Sequence, residues 1–305
     1  MIFIVDGNNL AFSSNMVMRL HTKDDFPTQA IKGFFNSLQS YAKLFCPTQI
    51  FVAWDGGKSK KRMKLCPEYK ANRAKEKTQQ EEMDFEEFLI QIPEIQRGVF
   101  LLGAYNCRGG GVEGDDIIAA IAKMAVKSKR NAIIFSSDAD FYQLINEFIS
   151  VYSVNSRVKG ERHTTLANMA KIRGLQPHQW LEYKALLGDK SDNITGINGV
   201  GEKTALAFMK QFGTIQNFID NQNSDSPTKV GTREKRILEN KELIERNIKM
   251  MDLTNPAGDL TGVKMLRKKT NPNALKAYFK KYELKSFYLD FPTWISHFHK
   301  IAEAA

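Results

Sequence analysis

Short apolar runs alternate with longer stretches of helical periodicity through the first half of the chain. Ile2–Asp6 is an apolar run ending in Asp-Gly-Asn-Asn, the pattern of a strand that enters a turn. From Pro27 to about Leu44, Ile31, Phe34, Phe35, Leu38, Tyr41, Ala42 and Phe45 recur at helical spacing. Gln49–Trp54 reads as a second strand and ends at Asp55. Thr78 to Gln91 resumes a helical pattern with an acidic face, and Pro93 is expected to interrupt it. Tyr105–Arg108, Ala132–Phe135 and Phe148–Ser153 read as further strands. A helix starting near Val112 carries the stripe Ile117, Ile118, Ile121 and Met124. Strands alternating with helices predict an α/β fold with a mostly parallel central sheet flanked by helices. In such sheets the sites lie at the carboxyl ends of the strands.

From about Leu166 the pattern is helical and punctuated, with helices expected over Pro177–Leu187, Glu202–Gln211, Ile215–Asp220 and Thr232–Met250. No linker separates the halves. The expected division is an α/β core over 1–165, including a basic segment at about 56–92, and a helical region over 166–305 packed onto the sheet. The segment Leu284–Phe291 reads as amphipathic packing rather than a peptide offered to a partner.

Composition narrows the chemistry. The 305 residues carry 44 Lys and Arg against 34 Asp and Glu, a formal charge of +10 that suits a polyanionic partner. No apolar run approaches the roughly 18 residues of a membrane span, and the N-terminus lacks the features of a signal peptide, so a cytoplasmic protein is expected. Cys46, Cys66 and Cys107 form no CxxC pair, and the five histidines form no zinc-type motif. Any bound metal would have oxygen ligands, which favours Mg2+ with Mn2+ able to substitute.

Nine carboxylates then stand out in five clusters: Asp6; Asp55; Glu113, Asp115 and Asp116; Asp138 and Asp140; Asp189 and Asp192. Taken singly, each reads equally as a turn or helix cap. If the chain stays extended, Asp138 and Asp140 share a face, and one helical turn would align Asp189 with Asp192. Jointly they place acid at nearly every strand end of a basic protein. A metal cluster explains this, two cations about 3.5–4 Å apart serving phosphodiester hydrolysis.

The basic elements complement that pocket. Gly57-Lys58-Ser59 is not a P-loop, because Val52 stands where its first glycine belongs. Between Gly56 and Lys77 nine basic residues face two acidic ones. Among them Lys58, Lys60, Lys61, Arg62 and Lys64 are candidates to gather a nucleic-acid strand, with Tyr69 as a stacking ring and Lys70 and Arg73 as further cations. Gly196-Ile-Asn-Gly-Val-Gly-Glu-Lys-Thr204 looks like a helix-hairpin-helix. In it Gly199 and Gly201 permit the turn, amides face a phosphate, and Lys203 and Thr204 lie at the next helix start.

The segments Ile4–Leu10, Trp54–Lys58, Pro67–Arg73, Gly111–Asp116, Ser137–Asp140, Lys184–Asp189, Asp192-Asn193 and Gly196–Thr204, in this order, resemble the flap endonuclease/5′-3′ exonuclease family, most closely its short bacteriophage members. The resemblance covers about Ile2 to Leu253 and implies a PIN-like 5′ nuclease fold with a helical arch over the basic segment and the hairpin motif at about 184–212. It implies a divalent-metal nuclease acting on branched or nicked DNA with a 5′ flap and on RNA-DNA hybrids, beside replication proteins. It further implies one metal site at Asp55, Glu113, Asp115 and Asp116 with Asp6 nearby, and another at Asp138, Asp140, Asp189 and Asp192. Lys70 and Arg73 would contact the scissile phosphate, Lys184 would stand close by, and a potassium ion would sit on the hairpin carbonyls. A monomer is expected. Two rivals remain at this point, a PIN-type ribonuclease and a non-catalytic DNA-junction binder.

Overall fold

The computed structural model describes residues 1–16, 19–74, 78–154, 160–229, 231–255 and 260–303, with backbone alone for 73, 74, 302 and 303. Strand β1 (Ile2–Asp6) leads into α1 (Gly7–Asn15), α2 (Gln29–Phe45), β2 (Gln49–Ala53), α3 (Lys60–Leu65) and α4 (Gln79–Leu102). Then follow β3 (Tyr105–Arg108), α5 (Gly114–Lys127), β4 (Ala132–Phe135), β5 (Ile149–Tyr152) and β6 (His163–Thr164). The helical region holds α6 (Met169–Arg173), α7 (Pro177–Leu187), the short pair β7 (Gly188–Asp189) and β8 (Ile194–Thr195), α8 (Glu202–Phe212) and α9 (Ile215–Gln222). It continues with α10 (Thr232–Glu239), α11 (Lys241–Met251), β9 (Lys264–Leu266) and α12 (Pro272–Lys281). The C-terminal helices are α13 (Lys285–Tyr288), α14 (Phe291–Ser296) and α15 (His299–Glu303).

The main sheet has the order β6-β5-β4-β1-β2-β3-β9. Its five inner strands are parallel, and β6 and β9 close the edges antiparallel. The alternating side chains of β1 sort its two faces. Ile2 and Ile4 pack with Ile117, Ile118 and Ile121 of α5, whereas Phe3 and Val5 pack with Phe34, Phe35 and Leu38 of α2. From β1 the chain winds outward through β2 and β3, then returns across the sheet through α5 to β4. The reversal makes a topological switch point between β1 and β4, where α/β folds place their sites.

Buried polar groups fix the helices over this sheet. Thr28 makes no side-chain cap for α2, and Gln91 of α4 supplies one instead. Its Oε1 accepts from the amides of Ala30 at 2.8 Å and Ile31 at 3.3 Å, two of the donors a helix start leaves unpaired. Leu284, Phe287 and Phe291 are buried against Phe279 and Trp294, so this C-terminal segment packs on the sheet. Among the described residues no helix is long and apolar enough to cross a membrane.

Three expectations change. Helix α4 runs through Pro93 without a break, because the proline and Leu89, whose carbonyl loses its donor, both lie on the exposed side where water can replace the bond. The helix expected over Thr232–Met250 is two helices. Asn240 turns its amide onto the Arg236 carbonyl at 2.7 Å, which competes with the helical ladder. Strand β9 carries no apolar alternation and is recruited by pairing with β3, Met265 opposite Cys107.

Pro93→Ala restores a backbone donor inside a continuous helix. It is expected to raise stability by about 1–2 kcal/mol in chemical denaturation. A loss of stability would mean that the proline sets a bend that α4 needs.

Candidate active site

Asp6, at the end of β1, caps α1 by accepting from the Asn9 amide at 3.0 Å, and its other oxygen accepts from Ser136 Oγ at 2.8 Å. Ser136 Oγ in turn accepts from the Asp138 amide at 3.1 Å. Asn9 Oδ1 accepts from the Ser137 amide at 3.1 Å, and Asn8 Oδ1 from the Asp55 amide at 3.0 Å. Two asparagines after β1 therefore stitch the ends of β4 and β2 to it, and bring Asp6, Asp55 and Asp138 to one edge. Asp55 Oδ1 accepts from the Gly114 amide at 2.7 Å, which draws the start of α5, with Asp115, to the same place. The loops after β2 and β3 are laced together, Gly56 donating to the Val112 carbonyl and Gly111 to the Gly56 carbonyl, each at 2.8 Å. A side chain at Gly56 would collide with the Gly109 carbonyl, so only glycine fits this crossing.

Beyond β4 the chain does not stay extended. Asp138 caps a 3-10 turn, Ala139–Leu144, by accepting from the Asp140 amide at 2.8 Å. Asp189 likewise ends β7 and Asp192 stands in the turn to β8, neither on a helix, with Asp189 Oδ1 accepting from the amides of Ser191 at 2.8 Å and Asp192 at 3.3 Å. Buried Asn247 of α11 holds this hairpin, donating to the carbonyls of Ala185 and Thr195 at 2.9 Å each. Lys184 joins the two segments, its Nζ lying 2.9 Å from Asp140 Oδ1 and 3.1 Å from Asp189 Oδ2.

Arg62 departs most from its expected role as a nucleic-acid contact. It is 3% exposed, and its guanidinium spans Glu113 (Nη1 to Oε2, 2.5 Å) and both oxygens of Asp116 at 2.9 and 2.8 Å. Its Nε donates to the Met250 carbonyl at 2.8 Å. On a helix as short as α3, one face turns inward with Arg62 and Cys66, and Lys60, Lys61 and Lys64 face water. Tyr69, expected as an exposed stacking ring, is also buried, its hydroxyl 2.9 Å from Glu113 and 3.1 Å from Asp192, with one proton to share between them. Lys70 is buried with φ of +56°, its Nζ 3.1 Å from Glu113 and its amide donating to the Asp192 carbonyl at 2.9 Å. Lys58 is exposed and donates to the Lys70 carbonyl at 3.3 Å. The Arg73 side chain lies outside the described residues.

Two electrostatic environments result. Burial raises the Glu113 carboxyl, but Lys70 and Arg62 outweigh it and the net shift is downward; Ser191 and Lys184 do the same for Asp189. Burial, reinforced by Asp55 and Asp138, pushes Asp6 up to about 7 against the bonds from Asn9 and Ser136. Burial and Asp138 push Asp140 up to about 7 against Lys184. Asp115 is raised by burial and by repulsion from Asp138, Asp6 and Asp55, and Asp138 by burial and by Asp189 and Asp192. Seven acids thus feel one another across five chain segments. An all-oxygen set under mutual repulsion fits a hard divalent cation. Among the described residues no three such side chains already surround one point, so binding would have to draw them inward. Asp116 differs, because both its oxygens are committed to Arg62.

The hairpin lies beyond β8. Gly199 has φ of +80° and needs to be glycine, whereas Gly201 is extended at φ −95°. A Cβ on Gly201 would meet nothing within 4 Å, so the N-terminus of α8 is uncovered, with Lys203 exposed beside it and Thr204 in its first turn.

Sequence profiles described as the 5′-3′ exonuclease N-terminal resolvase-like domain and C-terminal SAM fold match residues 1–172 and 175–273. The 5′-3′ exonuclease of Aquifex aeolicus is 33% identical over 222 residues, 72% of each chain. The thermostable DNA polymerase I of Thermus thermophilus is 33% identical over 239 residues, 78% of this chain and 27% of that one. The chain thus spans about a quarter to a third of the length of such polymerase relatives. A bacteriophage T5 flap endonuclease, solved as a pseudo-enzyme-product complex with DNA and metal ions, shares the fold with a TM-score of 0.69 at 23% identity, covering 99% of both chains.

Arg62→Ala takes from buried Asp116 the partner of both its oxygens, leaves Glu113 to Lys70 and Tyr69, and is expected to cost about 3–5 kcal/mol in chemical denaturation. A cost under about 1 kcal/mol would mean that Asp116 too is held by other groups. Raised carboxylates add stability at low pH and lose it as pH rises through about 7 for Asp6, while Glu113 and Asp189 lose theirs only below their ordinary values of 4.5 and 3.8. Metal-free protein is therefore expected to lose on the order of 1–2 kcal/mol relative to Asp6→Asn between pH 5.5 and 7.5. His163, lowered by burial, pushes the other way in both proteins and cancels in the comparison. Parallel pH profiles would show Asp6 to be unstrained.

Proposed function

The chain belongs to the 5′-3′ exonuclease family, and on that premise we propose that it is a divalent-metal-dependent, structure-specific 5′ nuclease. Its substrates are 5′-flapped or nicked DNA and RNA-DNA hybrid ends, cut at the junction of single and double strand during replication. The convergence of Asp6, Asp55, Asp115, Asp138, Asp140, Asp189 and Asp192 on one sheet edge carries this reading. The likeness of this fold to a flap endonuclease solved with DNA and metal ions supports it.

These acids, with Glu113, are proposed to hold Mg2+, or Mn2+ in its place, and a bound ion would supply Lewis acidity toward the phosphoryl oxygens. The protein's own groups do the rest. Ser136 fixes the rotamers of Asp6 and the loop carrying Asp138. Lys184 and Lys70 stand beside the nest, where a phosphate oxygen would meet them. Exposed Lys58, Lys60, Lys61 and Lys64, with Arg73 following, would draw the single strand by counterion release. The uncovered start of α8 and Lys203 would hold the duplex by its backbone. A polar hold of this kind reads no bases, which fits recognition of structure rather than sequence.

On a 5′-labelled flap in Mg2+, the chain is expected to cut at or next to the junction, and Asp140→Asn to abolish cutting while binding in Ca2+ stays within about threefold. Ser136→Ala should lower the rate about 10- to 100-fold, as loss of an outer hydrogen bond does around metal ligands. Cleavage of single-stranded RNA in preference to the flap would favour a PIN-type ribonuclease. Binding of the flap with no divalent-dependent cleavage would favour a junction binder.

A further inference from the structure

Helix α11 ends on groups that belong to the sheet. The last carbonyls of a helix have no partner inside it. At α11 the Met250 carbonyl accepts from Arg62 Nε, and the Met251 carbonyl from Gln143 Nε2 at 3.0 Å. The same Nε2 donates to the Asp140 carbonyl at 2.9 Å, and Gln143 Oε1 accepts from the Leu253 amide at 3.0 Å. Both amide protons and the carbonyl oxygen of this half-buried side chain are therefore in use. They tie the backbone of one acid of the nest to the chain leaving α11, across 108 and 110 positions of sequence.

The turn that carries Gln143 needs such support. Ala139–Leu144 is six residues of 3-10 helix, longer than such turns usually run unaided. One turn back along α11, Asn247 holds the carbonyls of Ala185 and Thr195, which flank the hairpin bearing Asp189 and Asp192. Two acid-bearing segments are thus hung by their backbones on one helix. Lys184 also spans Asp140 and Asp189, but through side chains alone. We infer that Gln143 is a positioning residue for the metal nest, fixing the span across which Asp140 and Asp189 meet a divalent cation. It acts through the Asp140 backbone and not on the cation. Without it the turn bearing Asp140 can shift against the hairpin, so cation affinity falls while the fold and the DNA-binding surfaces persist. This rests on the reading of the carboxylates as a metal site.

Calorimetric titration of Mn2+ into the metal-free full chain at pH 7 compares wild type, Gln143→Met and Gln91→Met. Each substitution keeps the reach of the side chain and removes an amide bonded to backbone, but the partners of Gln91 on α2 bear none of the acids. Gln143→Met is expected to weaken Mn2+ binding about tenfold, as loss of an outer hydrogen bond does at metal sites. Gln91→Met is expected to stay within about twofold of wild type although it also loses stability. In single-turnover cleavage of a 5′-labelled flap, the Mg2+ concentration giving half the maximal rate should rise about tenfold in Gln143→Met alone. Should Gln143→Met not fold, Gln143→Asn, one methylene too short to reach all three partners, carries the same expected direction. Wild-type Mn2+ affinity in the folded Gln143 variant would overturn the inference. An equal loss in Gln91→Met would do so as well, since the effect would then be one of general stability. No saturable Mn2+ binding by wild type would remove the metal-site reading itself, and the inference with it.

Discussion

Mutual repulsion among aspartates gathered at the carboxyl edge of a parallel sheet is the constraint this structure is built to withstand. Asp6, Asp115, Asp138 and Asp140 are raised by burial and by one another, and the fold holds them together nonetheless. Compensation comes from cations set into the walls of the nest. Arg62 neutralises Glu113 and Asp116, Lys70 reaches Glu113, and Lys184 bridges Asp140 and Asp189. The guanidinium also reaches the Met250 carbonyl at the end of α11, so one side chain fastens the basic segment, the start of α5 and the helical region. Groups that are distant in sequence thereby become a single wall.

The division between compensated and uncompensated acids has a chemical sense. Asp116, with both oxygens on Arg62, keeps the geometry, whereas Asp6, Asp115, Asp138 and Asp140 repel one another, and a divalent cation would relieve that repulsion. A nest satisfied throughout by its own cations would be more stable and would have little reason to bind metal.

Much of this was legible in the residues. An apolar run that ends in Asp-Gly-Asn-Asn announces both a strand and its carboxylate, and the same holds at Asp55 and Asp138, so the sheet edge could be written down beforehand. What escaped depends on direction rather than type. Arg62 stands in a Lys-rich run and looks like surface, and only the turn of a six-residue helix points it inward. Tyr69 and Lys70 follow it into the interior. Asn8 and Asn9 look like ordinary turn residues, yet their side chains bond backbone just beyond two other strands, which no local pattern reveals. Pro93 leaves its helix unbroken where water can take the freed carbonyl, whereas Asn240 ends one by bonding the Arg236 carbonyl with its own side chain. Strand β9 exists because β3 has an open edge, a fact of tertiary structure.

The central claim is that the repelling acids form a nest for divalent cations. Titrating Mn2+ into metal-free protein at pH 7 and following free Mn2+ by electron paramagnetic resonance, with proton release measured in parallel, tests it directly. Saturable binding is predicted, accompanied by proton release because Asp6 and Asp140 stand near 7, and both are predicted to weaken in Asp115→Asn. Binding that is absent, or that Asp115→Asn leaves unchanged, would contradict the account.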